Sequence, residues 1–148
     1  MAAKKRSERL KPVQKLADRG EKDASVELGR SQQALSEQEA RLEQLRQYRA
    51  EYRAMFDGDG QRSVDPRRLR DERAFLAKLD EVIRQQESVV EANMQAYEQQ
   101  REGWIEARSR VNALDRAADR YRRVESRDQD RREQKEQDDL SQHRGRRD

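Results

Sequence analysis

Asp57, Gly58, Asp59 and Gly60 open like a cation-binding loop, carboxylates alternating with flexible backbone. A calcium loop of that kind closes on a bidentate glutamate at its twelfth position. Counted from Asp57, that position is Arg68, a cation, so the stretch reads as a turn. The single histidine, His143, lies in a charged run with no second ligand or nucleophile beside it, and one isolated imidazole makes neither a metal site nor a proton relay. No GxxxxGKS or GxxxxGKT run is present to cradle a phosphate. Carboxylates abound, but pairing with lysine or arginine on a wet helix face is their ordinary state. The chain does not read as an enzyme, and no catalytic residue, metal ligand or cofactor is assigned.

The elements that would position any site are constrained by composition. Of 148 residues, 32% are hydrophobic and 44% charged, too few apolar groups for a thick core. Such numbers fit a disordered chain or a helical rod burying a narrow seam. The 34 basic and 31 acidic residues leave a net charge of only +3, less lopsided than a uniformly basic nucleic-acid binder. The absence of cysteine excludes disulfides and thiolate metal sites and fits a reducing cytosol. No apolar run is long enough for a membrane span, and the start, MAAKKRSERLKPVQKL, lacks the apolar region of a secretory signal.

Apolar spacing selects the rod. In the first half, Leu10, Ala17, Ala24, Ser31, Gln38, Leu45 and Tyr52 keep a seven-residue step, interleaved with Gln14, Glu21, Leu28, Leu35, Leu42, Arg49 and Phe56. In the second half the step is stricter: Leu69, Leu76, Ile83, Val90, Tyr97, Trp104, Val111 and Ala118. Their companions are Glu72, Leu79, Gln86, Asn93, Gln100, Ala107, Leu114 and Tyr121. Alternating steps of three and four mark a coiled-coil seam.

Between the two patterns, the Asp-Gly pairs stop one helix. Asp65 as N-cap and Pro66 at the first helical position start the next. So short a connection returns the chain antiparallel. The expected fold is all-α, a two-helix antiparallel coiled-coil hairpin with an overhanging C-terminal helix. Its expected parts are a basic frayed start over 1–10, a helix over 11–56, a turn over 57–65, a helix over 66–138 and a disordered tail over 139–148. Setting Leu45 against Leu76 and Leu42 against Leu79 puts Ala24 opposite Tyr97 and Ala17 opposite Trp104, small against large. A one-heptad shift would set Ala24 against Trp104 and leave a longer turn, so the first register is preferred. Polar seam residues Ser31, Gln38, Gln86, Asn93 and Gln100 weaken such a contact while fixing its register.

One feature exceeds what two helices need. Phe75, Val82, Val89 and Ala96 form a further apolar row beside the second seam. Flanking positions can merely thicken a seam, but spare apolar rows also favour docking of another protein.

The sequence resembles the FliJ family of the bacterial flagellar type III export apparatus. LRQYRAEYRAMF before the turn, FLAKLDEVIRQQESVV after it, WIEARSRVNAL and the late REQKEQDD run carry the resemblance over nearly the whole chain. It implies a coiled-coil stalk for motility and protein export, cytoplasmic and peripheral to the inner membrane at the flagellar base. The implied partners are the hexameric export ATPase FliI, the export gate protein FlhA and flagellar substrate chaperones, without nucleic acid or membrane insertion. The family's gate-contact patch falls here on Phe75, Leu79, Val82 and Gln86. Candidates for the ATPase-ring contact are Arg120, Arg122, Arg123, Arg127, Arg131, Arg132 and Lys135, which otherwise form a solvated helix face. Two other functions fit a charged coiled coil: a self-associating scaffold joined through the Phe75 row, and a nucleic-acid binder led by KKRSERLK. Pro12 and the hairpin turn argue against the latter.

Overall fold

Two helices account for nearly all of residues 3–57 and 65–147, the part of the chain that the computed structural model describes. Helix α1 runs Arg6–Asp57 and helix α2 runs Pro66–Arg147. The two pack together, and the described residues contain no strand. The Gly58, Asp59 and Gly60 turn lies outside the described residues. The start of α2 is capped as its sequence requires. Arg67 N donates to Asp65 Oδ1 at 3.2 Å, and Leu69 N to the Asp65 carbonyl at 3.1 Å, with Pro66 between needing no partner.

Both helices are longer than their local signals suggest. Helix α1 starts at Arg6 and carries Pro12 inside it, instead of beginning beyond a frayed segment. An interior proline removes a helical hydrogen bond and costs about 3 kcal/mol. Contacts with α2 offset that cost: Ser7 is buried, Leu10 is half-buried, and Arg6 lies over the Tyr121 ring. At the other end, α2 continues through 139–147, a stretch expected to be disordered. It has no apolar stripe, and every residue of 126–146 is exposed. Good helix formers and i,i+4 pairs such as Gln129–Glu133 and Gln134–Asp138 support it.

The chain divides into two compact units, unit 1 comprising Met1–Asp23 with Trp104–Asp148 and unit 2 comprising Ala24–Gly103. The core of unit 2 is Leu42, Leu79 and Ile83, each 7% exposed, with Leu45 and Val90 packed against them. Gln86 is also buried, its Nε2 donating to the Gln38 carbonyl at 3.0 Å and to Gln38 Oε1 at 2.9 Å. Asn93 turns back instead, donating to the Val89 carbonyl of its own helix. In unit 1 the buried apolar residues are Val111 and Ala118. There Trp104 Nε1 donates to Glu21 Oε1 at 3.1 Å. Glu21 stands between Ala17 and Ala24, midway between the two registers that spacing allows. Within each unit the paired residues run in opposite senses, Ser7 to Glu125 and Gln14 to Asp115 in one, Gln38 to Gln86 and Arg49 to Asp80 in the other.

Candidate functional site: two unlike flanks and a basic hollow

The seam positions read from the sequence are shielded from solvent along both helices, Leu28, Leu35, Leu42 and Leu45 on α1 and Leu76, Leu79, Ile83, Val90 and Tyr97 on α2. Trp104, Val111 and Leu114 are likewise shielded in unit 1. Leu69 and Gln100 are not: both are exposed. Leu69 is in the first turn of α2, and Gln100 carries a long polar side chain that gains nothing from burial.

Residues just before and just after a seam position point to opposite flanks of the contact, because successive residues are turned by about 100° on a helix. In unit 2 those flanks differ in chemistry. Phe75, Val82, Val89 and Ala96 precede the α2 seam residues, and all four are exposed. Tyr48 and Met55 occupy the matching positions on α1 and are also exposed. Phe75 ties the two rows together. Its ring lies 4.4 Å from that of Tyr52 and 6.5 Å, edge-on, from that of Tyr48, while Tyr52 packs on Phe56 at 4.6 Å. Such offset pairs contribute about 0.5–1.5 kcal/mol each beyond burial. Tyr48 was not singled out by the seven-residue pattern. The signal was a second period, Tyr48, Tyr52 and Phe56 at four-residue steps down one face of α1.

The opposite flank of unit 2 is ionic. Arg49 holds Asp80 through Nε and Nη2, and Arg46 Nη2 meets Glu87 Oε1 at 3.4 Å. The Arg49 hydrogen bond keeps the Asp80 carboxyl below the ordinary carboxylate range, and the same bond raises the guanidinium. These pairs fix side-chain positions more than they stabilise, since both partners meet water.

The four residues implied as a gate contact therefore separate. Phe75 and Val82 lie on the exposed apolar flank, whereas Leu79 and Gln86 are buried against α1 and present nothing to a partner. The basic candidates in unit 1 separate too. Arg122 is paired with Asp119 at 3.1 Å. Arg120, Arg123 and Arg127 join Arg116 along one face of α2 at helical spacing, all exposed. Arg131, Arg132 and Lys135 belong to the fully exposed stretch beyond Glu125.

Pattern reading marked the start of the chain as basic and frayed but did not place it against α2. Lys4, Lys5, Arg6 and Arg9 border a hollow of about 550 Å³ whose other wall is Arg120, Tyr121 and Val124. Beside it, Ser7 N donates to Glu125 Oε1 at 3.1 Å and Ser7 Oγ to Glu125 Oε2 at 2.6 Å. Ser7 is in the first turn of α1, where backbone N–H groups have no partner in their own helix. Glu125 thus caps α1 from the other helix. The Ser7 hydroxyl, then its amide, hold the Glu125 carboxyl below the ordinary range. An antiparallel return was the available signal, since it must bring the basic start beside this part of α2.

Among the described residues no cluster of three or more histidine, aspartate or glutamate side chains is placed to hold a metal ion. No described helix is long and apolar enough to cross a membrane. The family described as Flagellar FliJ protein matches residues 6–148, so the chain belongs to that family, a family of flagellar export-related coiled-coil proteins. No curated protein and no solved structure matches it.

Proposed function

We propose that this FliJ-family chain is a non-enzymatic stalk of the flagellar type III export apparatus, which binds the export ATPase ring FliI and links it to the export gate FlhA. Association with substrate chaperones belongs to the same reading, as does a place in the cytoplasm against the inner membrane at the flagellar base. The observation that carries the proposal is the family match over residues 6–148. The helix pair supports it by presenting different chemistry in different places. The apolar flank of Tyr48, Phe75, Val82 and Val89 suits a protein partner that buries side chains. The exposed end of α2, with Arg127, Arg131, Arg132 and Lys135, we read as the overhang that enters the ring.

In this mechanism ATP turnover changes which ring subunits grip the basic end. A ligand moves an equilibrium only through different affinities for its states, so the grip must differ between nucleotide states. The apolar flank then passes the bias to the gate. Phe75 and Val82 make the gate contact directly, and Leu79 and Gln86 hold them in place from inside the seam.

The experiment is a paired binding measurement on the full chain carrying Phe75→Asp and Val82→Asp, against the ATPase ring and against the cytoplasmic part of the gate. Gate binding falls at least about tenfold and ring binding stays unchanged if the flank is the gate site. Equal loss of both would falsify the separation of sites. Leu79 is unsuitable for this test, because a charge there breaks the core of unit 2. Solution mass measured alongside distinguishes the stalk from a scaffold, in which the same substitutions would dissociate a dimer.

A further inference from the structure

The hollow at the start of α1 has chemistry that the stalk reading does not use. Lys4, Lys5, Arg6 and Arg9 face Arg120 around it, and Arg120 also borders a neighbouring depression with Arg116 and Arg123. None of these side chains has an ion pair among the described residues. The nearby carboxylates cancel only part of this charge. Asp119 is paired with Arg122, and Glu125 and Asp128 are the two carboxylates in the wall of the hollow, against five cations. A chain with a net charge of only +3 therefore gathers seven cations in one part of unit 1.

The hollow is not only basic. Tyr121 is half-buried in its wall with the Arg6 guanidinium 5.9 Å from the ring centroid, which fixes one cation in place. Val124, 54% exposed, adds an aliphatic surface among the charges. A phosphodiester backbone or a lipid headgroup layer would satisfy the cations but leave Val124 facing water or charge. A polypeptide carrying both carboxylates and an apolar side chain satisfies both.

We infer that this hollow binds an acidic, amphipathic segment of a partner protein. Carboxylates of the segment meet the arginine and lysine rim, where guanidinium forks donate two parallel hydrogen bonds to a carboxylate. An aliphatic or aromatic side chain of the segment covers Tyr121 and Val124. The inference goes beyond the ring contact of the stalk reading, because it enlists the start of α1. Where the ring is the partner, it states what the ring must present.

The probe is a fluorescein-labelled helical peptide with glutamates on one face and leucines on the other, titrated into the full chain by anisotropy. A version with glutamine for leucine, a single-stranded oligonucleotide and phosphatidylglycerol vesicles run in parallel. Arg9→Glu with Arg120→Glu weakens the leucine peptide about tenfold or more, as loss of interfacial charge pairs requires. Val124→Ser weakens that peptide about threefold and leaves the glutamine version unchanged. Circular dichroism checks that helicity is kept; should the double reversal melt the chain, Lys4→Glu, which precedes α1, replaces it. Peptide binding indifferent to these charges overturns the inference, as does tighter binding of the oligonucleotide or vesicles with no effect of Val124→Ser. Ring binding measured on the same variants separates the two ideas. Loss of peptide binding with ring binding intact leaves the hollow standing and moves the ring contact to other residues, whereas loss of ring binding with peptide binding intact overturns the inference and leaves the stalk reading in place.

Discussion

Unit 2 and unit 1 join the same two helices by different means. In unit 2 branched aliphatic side chains meet, the buried Gln86 bonds the half-buried Gln38 beside them, and aromatic rings spill onto an exposed flank. In unit 1 the buried apolar residues are few and smaller, Val111 and Ala118, and long-range polar bonds hold the pair: Ser7 to Glu125, Gln14 to Asp115, Trp104 to Glu21. The difference teaches that a narrow seam need not have one character along its length. Burial gives strength where leucines meet, and directed hydrogen bonds give position where they do not. The outer surfaces differ as well: unit 2 has an apolar flank opposite an ionic one, and unit 1 has a cationic hollow.

The strongest way to break this contrast is Leu79→Ala. Losing a buried leucine costs about 2–5 kcal/mol, and urea unfolding followed by amide exchange should show protection lost first in unit 2. Uniform loss along both helices would mean the units do not differ in what holds them. Next comes Gln86→Ala, which strands the Gln38 amide in the seam at a cost of about 1–3 kcal/mol. Gln86→Leu should instead keep or raise the melting temperature while permitting slipped or dimeric species, visible by size-exclusion with light scattering. In unit 1, Trp104→Phe keeps the ring and deletes the donor to Glu21, at a cost of about 1 kcal/mol. A cost as large as that of Leu79→Ala would show that unit 1 depends on burial after all.

The smallest effect concerns acid. Asp80 and Glu125 both titrate below the ordinary carboxylate range in the folded chain. A depressed folded value stabilises above the unfolded carboxyl value, about 4, and the contribution is lost as pH falls through the folded one. Thermal melts should therefore weaken below about pH 4, and Asp80→Asn and Glu125→Gln should each flatten part of that slope. Exchange at the Ser7 amide reports the Glu125 share separately.

Much of the helix pairing was legible because a seam repeats. The seven-residue step marks Leu76, Ile83, Val90 and Trp104 from their spacing alone, and Asp65-Pro66 announces the start of α2. What the step could not carry was anything set by distant neighbours. Pro12 is a local stop signal, overridden by contacts that Ser7 and Arg6 make with residues far along the chain. The late stretch of α2 lacks apolar residues, yet side-chain pairs within the helix suffice to extend it. Among the candidate site residues, spacing placed Phe75 and Val82 on an exposed row. The same spacing put Leu79 and Gln86 in the seam, where they are buried, whereas the resemblance had grouped all four as one contact patch.

The clasp between Ser7 and Glu125 has a consequence for birth on the ribosome. Those residues are 118 positions apart, so the first turn of α1 stays without its cap until Glu125 has been translated. Ser7 should consequently be among the last residues of unit 1 to find their places.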